Sequence, residues 1–288
     1  MKVGIVGIGL IGGSFAVDLR KEYRNVFLVG FDISPENQER ALELGLIDKK
    51  GEASDWSSLD LVIVTVPVDA MLKVLPNVLD QISDDCLVMD AGSTKRQICE
   101  AVAGHPKRRN FLACHPIAGT EFSGPTAAHQ GLYEGKTMII CEVEKTAFKL
   151  QERGMELINK VGMRVRYMNP EAHDKHIAYV SHLSHISSFM LGKTVIDKEE
   201  NERDIFDLAG SGFESTVRLA KSSPDMWAPI FEQNKDNVLE TLKEYIANLR
   251  DFKEKMEEGD FKSVYEQMLN TNRIKEILKG IPLTKTTK

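Results

Sequence analysis

The sequence predicts an α/β fold in its first half, a doubly wound, mostly parallel sheet, followed by an all-α domain. Three observations predict it. Short apolar runs alternate with helical patterns from Met1 to about Tyr167, a glycine-rich turn separates the first run from the first helix, and after Asn169-Pro170 the texture changes. There the chain becomes long stretches rich in Lys, Glu, Leu and Met with no convincing strand. Alternation of the first kind is how a parallel sheet reads, because each strand must cross over through a helix before the next can run parallel to it.

In chain order, strands are expected at Lys2 to Val6, Val26 to Phe31, Leu59 to Val66, Cys86 to Asp90, Phe111 to Cys114, Thr137 to Cys141 and Arg164 to Met168. Leu61-Val62-Ile63-Val64 and Thr137-Met138-Ile139-Ile140 are apolar at successive positions, as strands covered on both faces should be. Ser34-Pro35 and Ser93-Thr94 carry N-cap and early-helix signals, and Gly45 a C-cap. Gly210 to Gly212, Pro224 and Pro229 divide the second half into several helices. A chain of 288 residues exceeds the usual size of one core, so two domains are expected, 1–168 and 169–281, with 282–288 as a frayed tail.

Hydrophobic residues at 42% and charged residues at 28% are those of an ordinary globular protein. The net charge of -6 argues against nucleic acid as a partner, and any anionic ligand must be held by local cations. No apolar run is long enough to span a bilayer, and the first strand opening at Lys2 leaves no room for a signal peptide, so no membrane partner and a cytoplasmic location are expected. Cys86, Cys99, Cys114 and Cys141 form no C-x-x-C pair and are expected to be reduced and buried. Cys114 and His115 do not make a nucleophile and base, because neighbours on a strand point to opposite faces.

Gly7-Ile8-Gly9-Leu10-Ile11-Gly12-Gly13 follows the first strand and opens a helix. Gly7 suits the tight turn, Gly9 the close approach of backbone to a pyrophosphate, and Gly12 the packing of helix on strand; the helix N-terminus then offers unpaired N–H groups to phosphate. Asp32 ends the second strand about 20 residues on, where a carboxylate meets the ribose hydroxyls. The first domain is therefore Rossmann-type and its cofactor a dinucleotide. NAD is favoured over NADP, since Asp32 would repel a 2′-phosphate and Ile33-Ser34-Pro35 offers no arginine to receive one. Val66 and Pro67, in Thr65-Val66-Pro67, lie beyond the carboxyl end of a strand and join the cofactor residues, although a plain strand-to-helix turn reads the same way.

Asp90-Ala91-Gly92-Ser93-Thr94-Lys95 and Cys114-His115-Pro116-Ile117-Ala118-Gly119-Thr120-Glu121 bring polar groups to the same rim of the sheet. Here the sequence resembles the prephenate and arogenate dehydrogenases, in a glycine fingerprint, then D-x-G-S-x-K, then H-P-x-A-G. The likeness continues through His173-Asp174, Ala178, Ser181-His182-Leu183-Ser184-His185, Gly212-Phe213, Arg218-Leu219-Ala220, Ser223-Pro224 and Trp227, and covers Lys2 to about Ile281. One departure stands out. Where the family commonly has an acid three positions before the arginine, this chain has Ser215, leaving Glu121 or Glu214 as alternative partners for Arg218.

The resemblance implies oxidative decarboxylation of prephenate to 4-hydroxyphenylpyruvate on the route to tyrosine, with His115 accepting the ring hydroxyl proton. A neutral histidine suits that role near pH 7. Ser93 is expected to hold His115 and the nicotinamide in register, or to serve only as an N-cap; Lys95 is expected to cap carbonyls or to face solvent. Arg218 is the carboxylate clamp for a dianionic substrate. Thr120 and Glu121 join it, and Ser181 and His185, four apart on one helix face, line a pocket wall. The four histidines from His173 to His185 do not converge on one face, and no metal is expected.

Two alternatives compete. A 3-hydroxyacid dehydrogenase shares the layout but uses a helix lysine and lacks H-P-x-A-G. An NAD-sensing regulator would need neither His115 nor Arg218. The helical half is expected to form a homodimer, since Phe189, Met190, Leu239, Leu242, Tyr245 and Leu249 are more apolar positions than one thin layer can bury, and the resemblance agrees. No separate regulatory or chorismate mutase domain is expected. Prephenate is expected over arogenate, because Ser181 and His185 offer no carboxylate to an ammonium, His185 can donate to the keto oxygen, and Asp174 lies about two helical turns from Ser181.

Overall fold

The computed structural model describes residues 1–199 and 204–279. The tail expected to fray, 282–288, and the expected helical end at Ile281 lie outside the described residues.

Eight strands form one sheet in the order β3-β2-β1-β4-β5-β6-β7-β8, with β1 at Lys2–Val6, β2 at Phe27–Phe31, β3 at Lys49–Lys50, β4 at Leu61–Val64, β5 at Leu87–Asp90, β6 at Phe111–Pro116, β7 at Thr137–Cys141 and β8 at Arg164–Met168. Every neighbouring pair is parallel except β6 with β7. Only β3 escapes the sequence reading, two lysines with no apolar pattern that extend the sheet beside Val29 and Gly30. Chain order reverses at β1, flanked by β2 and β4, and ligands of such sheets bind in the crevice beyond that point.

Alternate residues of the central strands feed two separate cores. Val3, Ile5, Leu61 and Ile63 face Phe15 and Leu19 of α1 (Leu10–Glu22), Ala41 of α2 (Pro35–Glu43) and Leu150 and Leu157 of α5 (Phe148–Lys160). Val6, Val62 and Val64 face Met71, Leu75 and Leu79 of α3 (Val68–Gln81) and Ile98 of α4 (Arg96–Ala101). Such double cover is why these strands are apolar at every position. Ser34 caps α2 by accepting from the Asn37 N–H at 3.2 Å, with Pro35 as first residue, and Gly45 follows in the left-handed region at φ 67°.

After Met168 every described element is helical: α6 (Pro170–Ile177), a π-helical turn Ala178–His182, α7 (Leu183–Glu199), α8 (Ser211–Val217), α9 (Pro224–Gln233), α10 (Lys235–Glu258), α11 (Phe261–Thr271) and α12 (Ile274–Lys279). Gly210 and Pro224 start helices as read, whereas Pro229 lies inside α9. Pro229 is the sixth of ten residues and costs the helix one N–H bond, while the flanking Trp227 and Ile230 are anchored in the second sheet core.

That anchoring places α9 in the same compact unit as the sheet. By packing, the chain forms two compact units, Met1–Lys235 and Asp236–Lys288. Secondary structure changes at 168, but α9 packs with the sheet: Trp227 and Ile230 bury against it, and the Gln233 amide donates to the Val68 carbonyl at 2.6 Å. No helix among the described residues is long and apolar enough to cross a membrane.

Candidate active site

The glycine turn lies at the crevice. Gly7 has φ 88° and its N–H donates to the Phe31 carbonyl at 2.7 Å. A Cβ on Gly12 would stand 2.2 Å from the Gly7 carbonyl oxygen, so α1 can approach β1 only with glycine there. The Thr65 hydroxyl, just past β4, donates to that same oxygen at 2.5 Å and locks the turn. Gly9 caps α1 without a side-chain hydrogen bond, and a Cβ there would meet nothing within 4 Å, leaving the first N–H groups of the helix open to an anion. Leu10 is buried, and the Ile11 carbonyl accepts from the Tyr133 hydroxyl at 2.6 Å.

Asp32 is aimed at this turn. Its Oδ2 accepts from the Ile8 N–H at 2.7 Å and its Oδ1 from the Ser34 N–H at 2.9 Å, which fixes the carboxylate while leaving acceptor capacity for hydroxyls. Pro67 opens α3 beside Val66.

A second cluster gathers where β5 and β6 end. Asp90 Oδ1 accepts from the Cys114 N–H at 2.7 Å, and Oδ2 accepts from the Gly92 N–H at 2.9 Å and from the Lys95 ammonium. Lys95 also donates to the Cys114 carbonyl at 2.6 Å and is wholly buried, so it holds the end of β6 and does not face solvent. Burial opposes its charge, but Asp90 outweighs that and holds its pKa above the ordinary lysine value.

Ser93 is not the cap of α4. Lys95 occupies that position, and the caps come from Asp174, whose Oδ1 accepts from the Lys95 N–H at 2.7 Å and Oδ2 from the Arg96 N–H at 3.0 Å. A carboxylate 79 residues away satisfies these N–H groups with a full charge, which a local serine cannot. Ser93 remains partly exposed on the same loop.

His115 ends β6 at 8% exposure, and its Nδ1 lies 2.8 Å from Nε2 of His173. His173 Nδ1 in turn lies 2.8 Å from Asp174 Oδ1. Burial, then the neighbouring His173, Lys95 and His182, push the His115 pKa well below the usual imidazole value, so the ring is neutral at neutral pH. Burial likewise lowers that of His173, against the opposing pull of Asp174. Cys114 points the other way, into the first core, with its thiol pushed up by burial.

From the helices come His182, His185, Trp227 and Arg218. The Asn234 amide nitrogen donates to the Asp174 carbonyl at 2.7 Å and lies 3.2 Å from His182 Nδ1, which therefore accepts. Neutral His182, its pKa lowered to about 4 by burial, thus carries its proton on Nε2, a buried donor without a partner among the described residues. Trp227 Nε1 is a second such donor, and its ring stacks on His185 at 3.5 Å. Buried polar groups of this kind are rare and need a water or a ligand as partner.

His185 stands one helical turn past Ser181. Its Nδ1 lies 2.9 Å from the Ser181 carbonyl, which can only accept, so the neutral ring offers a lone pair at Nε2. Burial is the main cause that lowers its pKa.

Arg218 pairs with Glu121 at 3.2 Å, and of the two acids considered this is the one in contact. Ser215 turns its hydroxyl back to the Gly212 carbonyl at 3.0 Å. Thr120 accepts from the Phe122 N–H at 3.3 Å and shapes the Glu121 loop. Buried Ser188 bridges the Thr216 carbonyl at 3.0 Å and the Ala220 N–H at 3.1 Å, fixing the turn that carries Arg218.

The sequence reading missed His173, Asp174, Asp90 and Ser188 as parts of the site. His173 and Asp174 stood inside the resembling motifs, but the contact with His115 spans 58 residues and has no periodic signature.

Comparison with known proteins returns two matching family models: prephenate dehydrogenase, nucleotide-binding domain, over residues 15–167, and prephenate dehydrogenase, dimerization domain, over residues 169–270. The chain is 30% identical over 287 residues to the prephenate dehydrogenase of Bacillus subtilis, covering 97% of this chain and 76% of that protein. The crystal structure of Aquifex aeolicus prephenate dehydrogenase with hydroxyphenyl propionate and NAD+ is 34% identical, with a TM-score of 0.87 over 96% of this chain and 97% of that one. Synechocystis arogenate dehydrogenase is 26% identical, with a TM-score of 0.76 over 96% of this chain and 100% of that one.

Proposed function

The chain belongs to the prephenate dehydrogenase family, and from that premise we propose that it oxidises and decarboxylates prephenate to 4-hydroxyphenylpyruvate, with NAD as cofactor, in tyrosine biosynthesis. The observation that carries this reading is a neutral, buried histidine at the end of β6, on the same rim of the sheet as an open glycine turn with a carboxylate aimed at it.

The residues fit the cofactor. Gly7, Gly9, Gly12 and the open N–H groups of α1 would hold the pyrophosphate, with Leu10 and Ile11 in the same turn. Asp32 would take the ribose hydroxyls, and Val66 and Pro67 line the far side. NAD, when bound, supplies the acceptor for hydride from the hydroxyl-bearing ring carbon. His115 takes the proton of that hydroxyl as the carbonyl forms, a transfer that contributes about 10²- to 10⁴-fold. Departure of carbon dioxide then leaves an aromatic ring, the main driving force, and its phenolate oxygen takes the proton back to give the phenol. Ser93 sits beside this chemistry, and Ser181 and His185 contact the side chain of the substrate.

Arg218 binds one substrate carboxylate, with Glu121 as its partner in the free chain. Because the guanidinium is half exposed, Arg218→Ala is expected to forfeit a charge-assisted hydrogen bond of about 1.5–3 kcal/mol, raising KM for prephenate roughly 10- to 100-fold with a smaller effect on kcat. An unchanged KM would return Arg218 to the solvated surface.

The similarity to the Bacillus subtilis and Aquifex aeolicus enzymes supports prephenate as substrate. A second reading, turnover of arogenate as well, is favoured by the bare Nε2 of His185, which can accept from an ammonium. Mixing the protein with prephenate or arogenate, and NAD or NADP, and following absorbance of the reduced nicotinamide separates these readings. The expected result is turnover of prephenate with NAD, and higher kcat/KM with NAD than with NADP by virtue of Asp32. Equal use of NADP would displace Asp32 from its role, and higher kcat/KM with arogenate would reverse the order of the two substrates.

The same reading includes a cytoplasmic homodimer. It is supported by the matched dimerization model and by exposed apolar side chains, Met190 in the first compact unit and Leu239 and Leu249 in the second, each just over half exposed. Phe189, Leu242 and Tyr245 are partly buried.

A further inference from the structure

We propose that Asp174 and His173 are positioning residues that fix His115 as its Nδ1–H tautomer, so that the Nε2 lone pair is the group presented to the substrate hydroxyl. The inference deepens the proposed function and rests on His115 being the base.

It follows from counting donors and acceptors along one chain of contacts. Asp174 accepts from two backbone N–H groups, Lys95 at 2.7 Å and Arg96 at 3.0 Å, and these hold its carboxylate ionised and in place. An ionised carboxylate can only accept, so His173 Nδ1, 2.8 Å from Oδ1, must carry hydrogen. A neutral His173 then has a bare Nε2. His115 Nδ1 lies 2.8 Å from it, so the shared hydrogen belongs to His115 Nδ1. His115 Nε2 is left as a lone pair.

The opposite assignment needs His173 as an imidazolium donating to His115, which would place the His115 hydrogen on Nε2 and abolish the base. The surroundings disfavour that cation. His173 is 2% exposed, and the ammonium of Lys95 from the start of α4 and the ring of His182 from the π-helical turn face the same cluster. Asp90 at the end of β5 favours the cation but is itself engaged by Lys95, while Asp174 is shared with the α4 cap.

In the reaction His115 Nε2 gains the hydroxyl proton and the ring becomes cationic. Its Nδ1–H bond to His173 strengthens, and Asp174 stabilises the charge through that ring without taking a proton itself. A serine protease triad uses the same logic, in which the wrong tautomer costs about 10⁴-fold.

The test is nitrogen-15 NMR of the histidine rings in the full chain, alone and with NAD, with the His115 signals identified by their loss in His115→Asn. A protonated Nδ1 and bare Nε2 on His115, and the same on His173, are expected. Nε2–H on His115 overturns the proposal whatever the activity.

Kinetics supply the second arm. His173→Phe keeps the ring volume and removes the acceptor; kcat is expected to fall about 10- to 100-fold with KM for prephenate and NAD affinity little changed. His173→Gln, whose amide oxygen reaches the place of Nε2, is expected to recover most of that loss. Equal kcat in wild type and the Phe variant overturns the positioning role. A chain with the expected tautomer that does not turn over prephenate would overturn the proposed function and leave the tautomer standing.

Discussion

His115→Asn is expected to bind NAD as the wild type does and to lose about 10²- to 10⁴-fold in kcat for prephenate. Asparagine is the informative replacement because its amide nitrogen falls near the place of Nδ1. It can still donate to His173, so the buried contact survives while the proton acceptor at Nε2 is lost. KM is expected to change little, since the carboxylates are held elsewhere. The pH dependence carries a sign. A base whose pKa is lowered on folding is fully competent above that pKa and fails as pH falls through it. With His115 held well below 6.5 by burial and neighbouring histidines, wild-type kcat should be flat from neutral pH down past 6.5, and decline only in more acid solution. A simple reading of an unperturbed imidazole places that decline higher. Near wild-type turnover in His115→Asn would remove this residue from the chemistry.

Legibility in the sequence followed the range of the interactions. The glycine turn was readable because Gly7, Gly9 and Gly12 act within one strand-turn-helix unit, and Asp32 stands at a fixed distance along the next strand. The double cover of the sheet was readable because Leu61 to Val64 are apolar at every position. His115 and Arg218 were found through motifs resembling a family, not through their own surroundings. What stayed hidden depends on side chains brought together from distant segments. Asp174 reads as a residue in the first turns of a helix, yet its carboxylate caps α4 and orients His173. Lys95 reads equally as a cap for nearby carbonyls or as a solvated lysine, and only its wholly buried place between Asp90 and the Cys114 carbonyl decides for the first. Burial of Trp227 and Ile230 against the sheet has no local periodic sign either.

Lys95→Met is expected to destabilise the first compact unit by about 3–5 kcal/mol. Both partners of this ion pair are fully buried, so removing the ammonium strands the Asp90 carboxylate in a low-dielectric site. Against a total stability of about 5–15 kcal/mol for a typical domain, that is a large fraction. The damage should also be directional. Lys95 donates to the Cys114 carbonyl and Asp90 accepts the Cys114 N–H, so together they clamp the residue just before His115. Any surviving folded fraction should therefore show a lower kcat, with NAD affinity closer to wild type because the glycine turn lies at the end of a different strand. Urea unfolding is the measurement, with a lower midpoint and an unchanged slope expected if only stability has changed. The paired variant Lys95→Met with Asp90→Asn removes the stranded charge while leaving an oxygen to accept from Cys114. It should recover part of the loss, and the difference from additivity measures the coupling of the pair. A loss of unfolding free energy below about 0.5 kcal/mol for the single variant, the size expected of a surface lysine, would mean that water reaches Asp90 and that the end of β6 is held by other contacts.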